Sequence, residues 1–365
     1  MGLRIAFIGS KGLPSKGGGE RVVEAIIERL IVKGYDISIY AKKSYCDYDN
    51  VSNKLKIILI KELRGKHLSA FSYGLFSTIH ALARGKYDVI HLHYADFGFI
   101  APLLRLKFKV IGTSHGAEYK REKWNIFAKL FFRFSEILFI RYCNICTSVS
   151  LSLSKYYIEK YNKKVYYIPN GVNTKQSRNS HVNTLDFSDN NYILFMAGRI
   201  IPTKGLHVLL QANILMGNKI PILIAGEIEN IIYKNKLMKL NKPNIKYLGF
   251  ISDKSKIEEL ISNSQIFVFP SQYEAMSMAL LEVAAQGKMI ICSDIEENVD
   301  AIQNNAIYFK TNDHHDLANK INEVVTNLST ITKYSNRAYK WVKKHRNWDI
   351  LVDSYCEQYN NLLNN

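Results

Sequence analysis

Strand-length apolar runs that do not alternate with polar residues recur along this chain, each followed by a helix-length segment. Arg4–Ile8, Asp36–Ala41, Leu55–Lys61, Asp88–His93, Val110–Ser114, Ile145–Ser148 and Val165–Ile168 form one such series. A strand apolar on both sides must be covered on both faces, which requires a parallel sheet between helices. The pattern restarts at Tyr192. Strands are expected at Tyr192–Ala197, Pro221–Ala225, Ile245–Leu248, Ile266–Phe269, Met289–Cys292 and Ala306–Phe309, with helices between them. Two series over 365 residues read as two doubly wound α/β domains. The first is expected over 1–173 and the second over 192–333. The polar stretch 174–191 reads as a linker. The tail 334–365 reads as helices able to pack on their own domain or cross back to the first.

Composition narrows the chemistry. Apolar residues make up 47% of the chain and charged residues 22%, as in a folded protein. No apolar run reaches the ~20 residues that span a bilayer, and Met1-Gly2-Leu3-Arg4 leads straight into an expected strand, so no secretory leader is expected. Cys143 and Cys146 fall at a strand start with no second pair, so they read as small buried residues, not zinc ligands; the cysteine usage fits a reducing cytoplasm. Residues 1–172 hold 28 Lys and Arg against 13 Asp and Glu, so they carry +15 of the net +17. Such a basic half suits an anionic substrate or surface, with nucleic acid and acidic lipid both in range.

In parallel α/β sheets the ligand loops follow the carboxyl ends of strands. The loop Gly9 to Glu20 is glycine-rich and opens a helix, as an anion site requires. Its spacing fits neither a dinucleotide fingerprint nor a P-loop, and a tight turn without ligand is the other reading. His115, in Gly112-Thr113-Ser114-His115-Gly116, follows a strand and can donate to a sugar hydroxyl or leaving oxygen, or serve as a structural histidine. His91 and His93 share a strand face and resemble a metal pair, but only Asp96 lies near, so no metal is expected. Arg199 and Lys204 flank a strand-to-helix turn and suit a diphosphate. In Ser271-Gln272-Tyr273-Glu274-Ala275-Met276-Ser277-Met278-Ala279-Leu280-Leu281-Glu282, two carboxylates lie eight residues apart around a helix start. They can accept from sugar or ribose hydroxyls, while the amides of Ser277, Met278 and Ala279 meet phosphate; an acid–base hydrolase pair is the other reading.

Gly198-Arg199 with Lys204-Gly205, Glu274 with Glu282, Ser114-His115-Gly116, Asn170-Gly171-Val172 and Ser293-Asp294 occur in one order. In that order the chain resembles the retaining group 1 glycosyltransferases, the family of glycogen synthase-like and bacterial mannosyl- and rhamnosyltransferases. The resemblance covers nearly the whole chain and implies the GT-B fold, two Rossmann-like domains facing a central cleft. It implies that Arg199 and Lys204 hold the donor diphosphate, Glu274 contacts the transferred sugar and Glu282 the ribose. Gly18 and Gly19 would line the phosphates, backbone at Gly249, Phe250 and Ile251 would meet the base, and His115 would contact the sugar near the reacting centre. The acceptor, held mostly by the first domain, is expected near Glu20, His93 and Asp96. The reaction would need no metal or cofactor and would retain configuration, moving sugar from a UDP- or GDP-sugar to a lipid-linked or saccharide acceptor in surface polysaccharide (capsule, lipopolysaccharide) or glycolipid synthesis. The chain departs from the family pattern twice: Ala275 replaces the usual glycine in a loop near the sugar, and Gly19 stands where related enzymes often carry a bulkier residue before the glutamate.

Lipid-linked acceptors sit at an anionic inner leaflet. The stretch 120–141 places Trp124, Phe127, Phe131, Phe134 and Leu138 at helical spacing, interleaved with Lys123, Lys129, Arg133 and Arg141. It reads as an interfacial helix of a cytoplasmic, peripherally bound enzyme, or as a helix packed on the core. A nucleotide-sugar epimerase, a glycosyl phosphorylase and a basic nucleic-acid-binding protein are the competing functions. The last lacks any recognition module.

Overall fold

The computed structural model describes residues 2–15, 17–46, 50–65, 68–120, 124–174 and 192–364. The chain forms two compact units, 1–170 with 348–365 and 171–347. In the first unit the strands are β1 (Arg4–Ile8), β2 (Asp36–Lys42), β3 (Asn50–Ser52), β4 (Leu55–Ile60), β5 (Val89–His93), β6 (Lys109–Ser114), β7 (Ile145–Ser148) and β8 (Val165–Tyr167). They lie in the order β3-β4-β2-β1-β5-β6-β7-β8, all parallel except β3, which runs antiparallel to β4. Three residues carry too little pattern to mark β3 in the sequence. The helices are α1 (Gly18–Val32), α2 (Leu68–Arg84), α3 (Ala101–Leu104), α4 (Ile126–Tyr142) and α5 (Leu151–Tyr161). Every residue of β5 is buried, which is why that strand shows no alternation.

The second unit holds a six-stranded parallel sheet, β11-β10-β9-β12-β13-β14. Its strands are β9 (Ile193–Arg199), β10 (Ile222–Glu227), β11 (Ile245–Gly249), β12 (Ile266–Phe269), β13 (Met289–Ser293) and β14 (Ile307–Phe309). Around it lie α6 (Leu206–Leu215), α7 (Ile231–Met238), α8 (Lys254–Asn263), α9 (Met278–Ala285), α10 (Glu296–Ile302), α11 (His314–Val325) and α12 (Leu328–His345). Each unit has its own apolar core, one around Ile8, Ile90, Val110 and Phe139, the other around Phe195, Leu209, Val268 and Ile291.

The helical tail divides between the units. α12 packs on α9 and β13 of the second unit. Arg346 ends it: its guanidinium donates to the Asp300 carbonyl at 2.7 Å, and its own carbonyl accepts from Val172 N at 2.6 Å. The last helix, α13 (Trp348–Asn364), belongs to the first unit and packs on α1 and β6. Arg29 pairs with Asp349 at 2.7 Å and Lys33 with Asp353 at 2.6 Å. Residues 175–191, most of the expected linker, lie outside the described residues, as does Lys123.

The aromatic stripe on α4 is rotated from the expected one. Ile126, Phe127, Leu130, Phe134 and Ile137 are exposed, while Ser135, Glu136, Phe139 and Ile140 are buried. Phe131 packs against Phe99, and Trp124 donates to Glu118 at 3.0 Å. Phe139 and Ile140 cover the sheet, so the register follows them and Phe131 falls at the helix flank.

Beneath the carboxyl ends of β5 and β6 lies a stack of imidazoles. The rings of His91 and His93 are 4.1 Å apart, and His93 Nδ1 lies 2.8 Å from His115 Nε2. His91 uses both nitrogens, with Tyr359 of α13 and with Thr113, each at 2.7 Å. Burial lowers the pKa of His91 to about 3 and of His115 to about 4, and holds His93 well below the ordinary value. Unfolding returns each to about 6.5. Below that pH the unfolded chain binds more protons, so the stability due to the neutral rings is complete above about pH 6.5 and is lost toward pH 4 and below. Melting temperature should fall over that window, and His91→Gln should melt lower than wild type at pH 7.5 with a shallower acid slope. Equal slopes in the two proteins would show that His91 takes up no proton on unfolding.

Candidate active site

The loops after β9 and β12 carry most of the second unit's candidate side chains. After Arg199 the chain turns through Pro202–Lys204 to Gly205, whose φ is +72°. A Cβ there would lie 1.9 Å from the Pro270 carbonyl oxygen, so only glycine lets the first loop rest on the second. Gln272 N donates to Thr203 O at 2.8 Å and ties the loops again. Lys204 Nζ then forms an ion pair with Glu274 Oε1, over the ring of Phe269. Arg199 is exposed at the end of β9. A cation and a carboxylate that the sequence separates by 70 positions thus meet.

The β12 loop is braced from below. Ser293 Oγ donates to Ser271 O, and Asn298 Nδ2 donates to Ser293 O at 3.1 Å and to its Oγ at 3.0 Å. Asp294 accepts from Thr311 N and Oγ1 at 2.9 and 2.6 Å. Ser293-Asp294 therefore holds the loop's base. Ser277 caps α9, its Oγ accepting from Leu280 N. First-turn amides have no intrahelical partner and form the positive end of the helix, so Met278 and Ala279 present an anion-suited edge. Glu282, partly buried, lies one turn beyond Met278 on the same helix face. Gly249, with φ +70°, has open space where a Cβ would stand, next to the exposed Phe250 and the partly buried Ile251.

In the first unit, α1 opens at Gly18 with open space beside it, and Gly17 serves as the N-cap. Glu20 is buried and turned back: its Oε2 lies where a Gly17 side chain would stand, and Lys11 Nζ is 3.5 Å from its Oε1. His93 is wholly buried and lies against His115, its Nδ1 2.8 Å from His115 Nε2, on a strand buried throughout. Asp96 is partly buried, and its carbonyl accepts from Ser135 Oγ at 2.7 Å. His115 is partly exposed.

One residue here escaped the sequence reading. Tyr94 adopts φ +69° and ψ 127°, a conformation that costs a non-glycine residue about 1–3 kcal/mol. Its N–H donates to Thr113 O at 2.8 Å, and its ring centroid lies 4.6 Å from that of His115. A Cβ on Gly19 would stand 1.8 Å from the Tyr94 hydroxyl oxygen. Nothing in residue type or spacing marks this tyrosine; its place directly after β5 was the one available clue.

Residues 16–176 match the model of "Glycosyltransferase Family 4" and residues 177–341 that of "Glycosyl transferases group 1". A curated relative in Escherichia coli, UDP-Gal:alpha-D-GlcNAc-diphosphoundecaprenol alpha-1,3-galactosyltransferase, is 26% identical over 80% of this chain and 80% of its own. N,N'-diacetylbacillosaminyl-diphospho-undecaprenol alpha-1,3-N-acetylgalactosaminyltransferase of Campylobacter jejuni is 27% identical over 74% of this chain and 68% of its own. Among solved structures, sucrose-phosphate synthase from Thermosynechococcus elongatus superposes with a TM-score of 0.83 at 18% identity, covering 99% of both chains. Anabaena HepE in complex with UDP-glucose gives 0.78 at 15% identity, covering 98% of this chain and 100% of its own. With both units matched by adjoining models and the two largely parallel sheets of the GT-B fold, the chain belongs to the group 1, family 4 glycosyltransferases.

Proposed function

We propose that the protein is a retaining, metal-independent glycosyltransferase that moves a sugar from a UDP- or GDP-sugar to a lipid-linked saccharide in bacterial surface polysaccharide or glycolipid synthesis. The observation that carries this reading is the ion pair between Lys204 and Glu274 on two loops tied together by backbone. A donor diphosphate competes with Glu274 for Lys204, and Arg199 adds a second cation at the same strand end. The α9 amides at Met278 and Ala279 add fixed dipoles. Glu274, released from Lys204, accepts from hydroxyls of the transferred sugar, and Glu282 accepts from the ribose. Gly249 to Ile251 meet the base. Family membership leaves the epimerase, phosphorylase and nucleic-acid readings without support.

In this reading the acceptor hydroxyl attacks the anomeric carbon on the face that the phosphate leaves. The new carbon–oxygen bond forms as the bond to phosphate breaks, and the hydroxyl proton passes to the departing phosphate oxygen. Lys204 and Arg199 stabilise the charge growing there. His115, with its pKa held at about 4 by burial, is neutral at pH 7 and hydrogen-bonds the sugar without adding charge.

The relatives' printed names refer to diphosphoundecaprenol-linked substrates, and a lipid acceptor brings the enzyme to a membrane surface. Among the described residues no helix is long and apolar enough to cross a membrane. The exposed face of α4 suits peripheral contact: Phe127 is 78% exposed and Ile137 44%, with Phe71 of α2 exposed beside Phe131. Arg133 and Arg141 are exposed on the same helix, in the basic half of the chain. Apolar side chains enter the interface while cations meet anionic headgroups.

Lys204→Ala and Arg199→Ala should each lower transfer about 100- to 1000-fold while folding survives. Sugar transfer from UDP- and GDP-sugars to GlcNAc-diphosphoundecaprenol is the assay, with melting curves as the control; wild-type rates in both variants would refute the diphosphate site. Glu282→Ala should weaken UDP or GDP binding by calorimetry, and unchanged affinity would remove the ribose role. The wild-type protein should float with phosphatidylglycerol-rich vesicles and Phe127→Ser/Phe134→Ser should float less. A wild-type protein that stays wholly in the soluble fraction at low and moderate salt would sink the membrane proposal.

A further inference from the structure

Tyr94 is held in place from three sides. Its backbone has a positive φ of 69° that tyrosine rarely adopts. That conformation is fixed by neighbours: its N–H is bonded to Thr113 O at 2.8 Å, and its carbonyl accepts from Phe97 N at 3.1 Å. The preceding carbonyl, of His93, lies where a Gly9 side chain would be, 2.1 Å from the Cβ position. Two glycines of the opening segment thus leave room for this one dipeptide. Gly9 admits the His93 backbone, and Gly19 admits the Tyr94 hydroxyl.

The ring that results touches His115, at 4.6 Å between centroids and 39° between planes. His115 is also held by His93, whose Nδ1 lies 2.8 Å from its Nε2. The imidazole therefore contacts both a buried histidine and a strained tyrosine, and the tyrosine's hydroxyl lies against the first turn of α1. Strain that persists at a strand end next to a functional ring points to a role, because an ordinary loop would relax it.

We propose that Tyr94 is a positioning residue for glycosyl transfer: it spaces the imidazole of His115 from the glycine turn Gly17–Gly19. This rests on the glycosyl-transfer reading, in which the turn meets the donor phosphates and His115 the transferred sugar. The two contacts fall on two ends of one substrate, so a fixed distance between them orients the bond that breaks. A side chain that acts through spacing affects turnover more than ground-state affinity.

The experiment is a cycle of Gly19→Ala, Tyr94→Ala, Tyr94→Phe and the double variant Gly19→Ala/Tyr94→Phe. The donors are UDP- and GDP-sugars and the acceptor is GlcNAc-diphosphoundecaprenol. A displacement of about 1 Å can cost on the order of 100-fold in rate. Gly19→Ala, whose new methyl displaces the Tyr94 hydroxyl, and Tyr94→Ala should each lower kcat about 10- to 100-fold with donor KM changed less than about threefold. Removing the hydroxyl in the double variant should restore part of the loss caused by Gly19→Ala, in kcat and in melting temperature. Wild-type kcat in Gly19→Ala and Tyr94→Ala, losses confined to KM, or no recovery in the double variant would each overturn the proposal. If the wild-type protein transfers sugar from none of these donors, that failure falls on the proposed function. The melting cycle then still decides: a Gly19→Ala loss that is the same in the wild-type and Tyr94→Phe backgrounds would overturn the contact itself.

Discussion

The meeting of Lys204 with Glu274 is the interaction around which the second unit's candidate site is arranged. Both side chains are largely removed from water, and an unpaired charge there would carry a substantial desolvation cost. Each offsets the other only because the two loops lie in contact. That contact depends on Gly205 accepting the Pro270 carbonyl and on one backbone bond from Gln272 to Thr203. The brace beneath, from Asn298 through Ser293 to Ser271, keeps the second loop from moving away. A cation positioned this way is pre-organised for an anion, because its side-chain freedom is already restricted before a ligand arrives.

The first unit reaches a comparable order by different means. Its candidate residues are mostly uncharged, and the organising elements are close packing and strain. His91, His93 and His115 form a run of neutral rings, anchored at the deep end by Tyr359 of the last helix. Tyr94 closes the outer end. The strain in its backbone is offset by hydrogen bonds to Thr113 and from Phe97 and by the room that Gly9 and Gly19 provide. α13 thus contributes to the histidine stack although it is the farthest element in sequence. Its Tyr359 lies 268 positions from His91.

The two units also differ in what they show to solvent. The first carries most of the positive charge and an exposed apolar helix face on α4, the combination that suits an acidic lipid surface. The register of α4 shows why periodicity alone placed that face imperfectly. A stripe at helical spacing runs through Trp124, Phe131 and Leu138, but burial is decided by Phe139 and Ile140 against the sheet. Apolar residues occur on more than one side of this helix, and only the packing partner chooses among them.

The strands of both sheets were readable in outline from unalternating apolar runs, because a strand buried on both faces has no polar side to show. The strand-to-helix segments that bear Arg199, Lys204, Glu274 and Glu282 were readable as well, since in parallel sheets such segments follow strand carboxyl ends. β3 and the division of the tail at Arg346 were not. The first is too short for a pattern, and the second depends on an arginine whose partners at Asp300 and Val172 are remote in sequence. Likewise, composition and spacing determined that carboxylates, cations and a histidine would stand at strand ends. Only the tertiary structure decided that Lys204 pairs with Glu274, that Glu20 turns back on Gly17, that His93 lies against His115, and that Tyr94 occupies the space left by Gly19. Those outcomes are set by close contacts between distant segments, and a local pattern of residues carries no record of which distant segment will fill a given space.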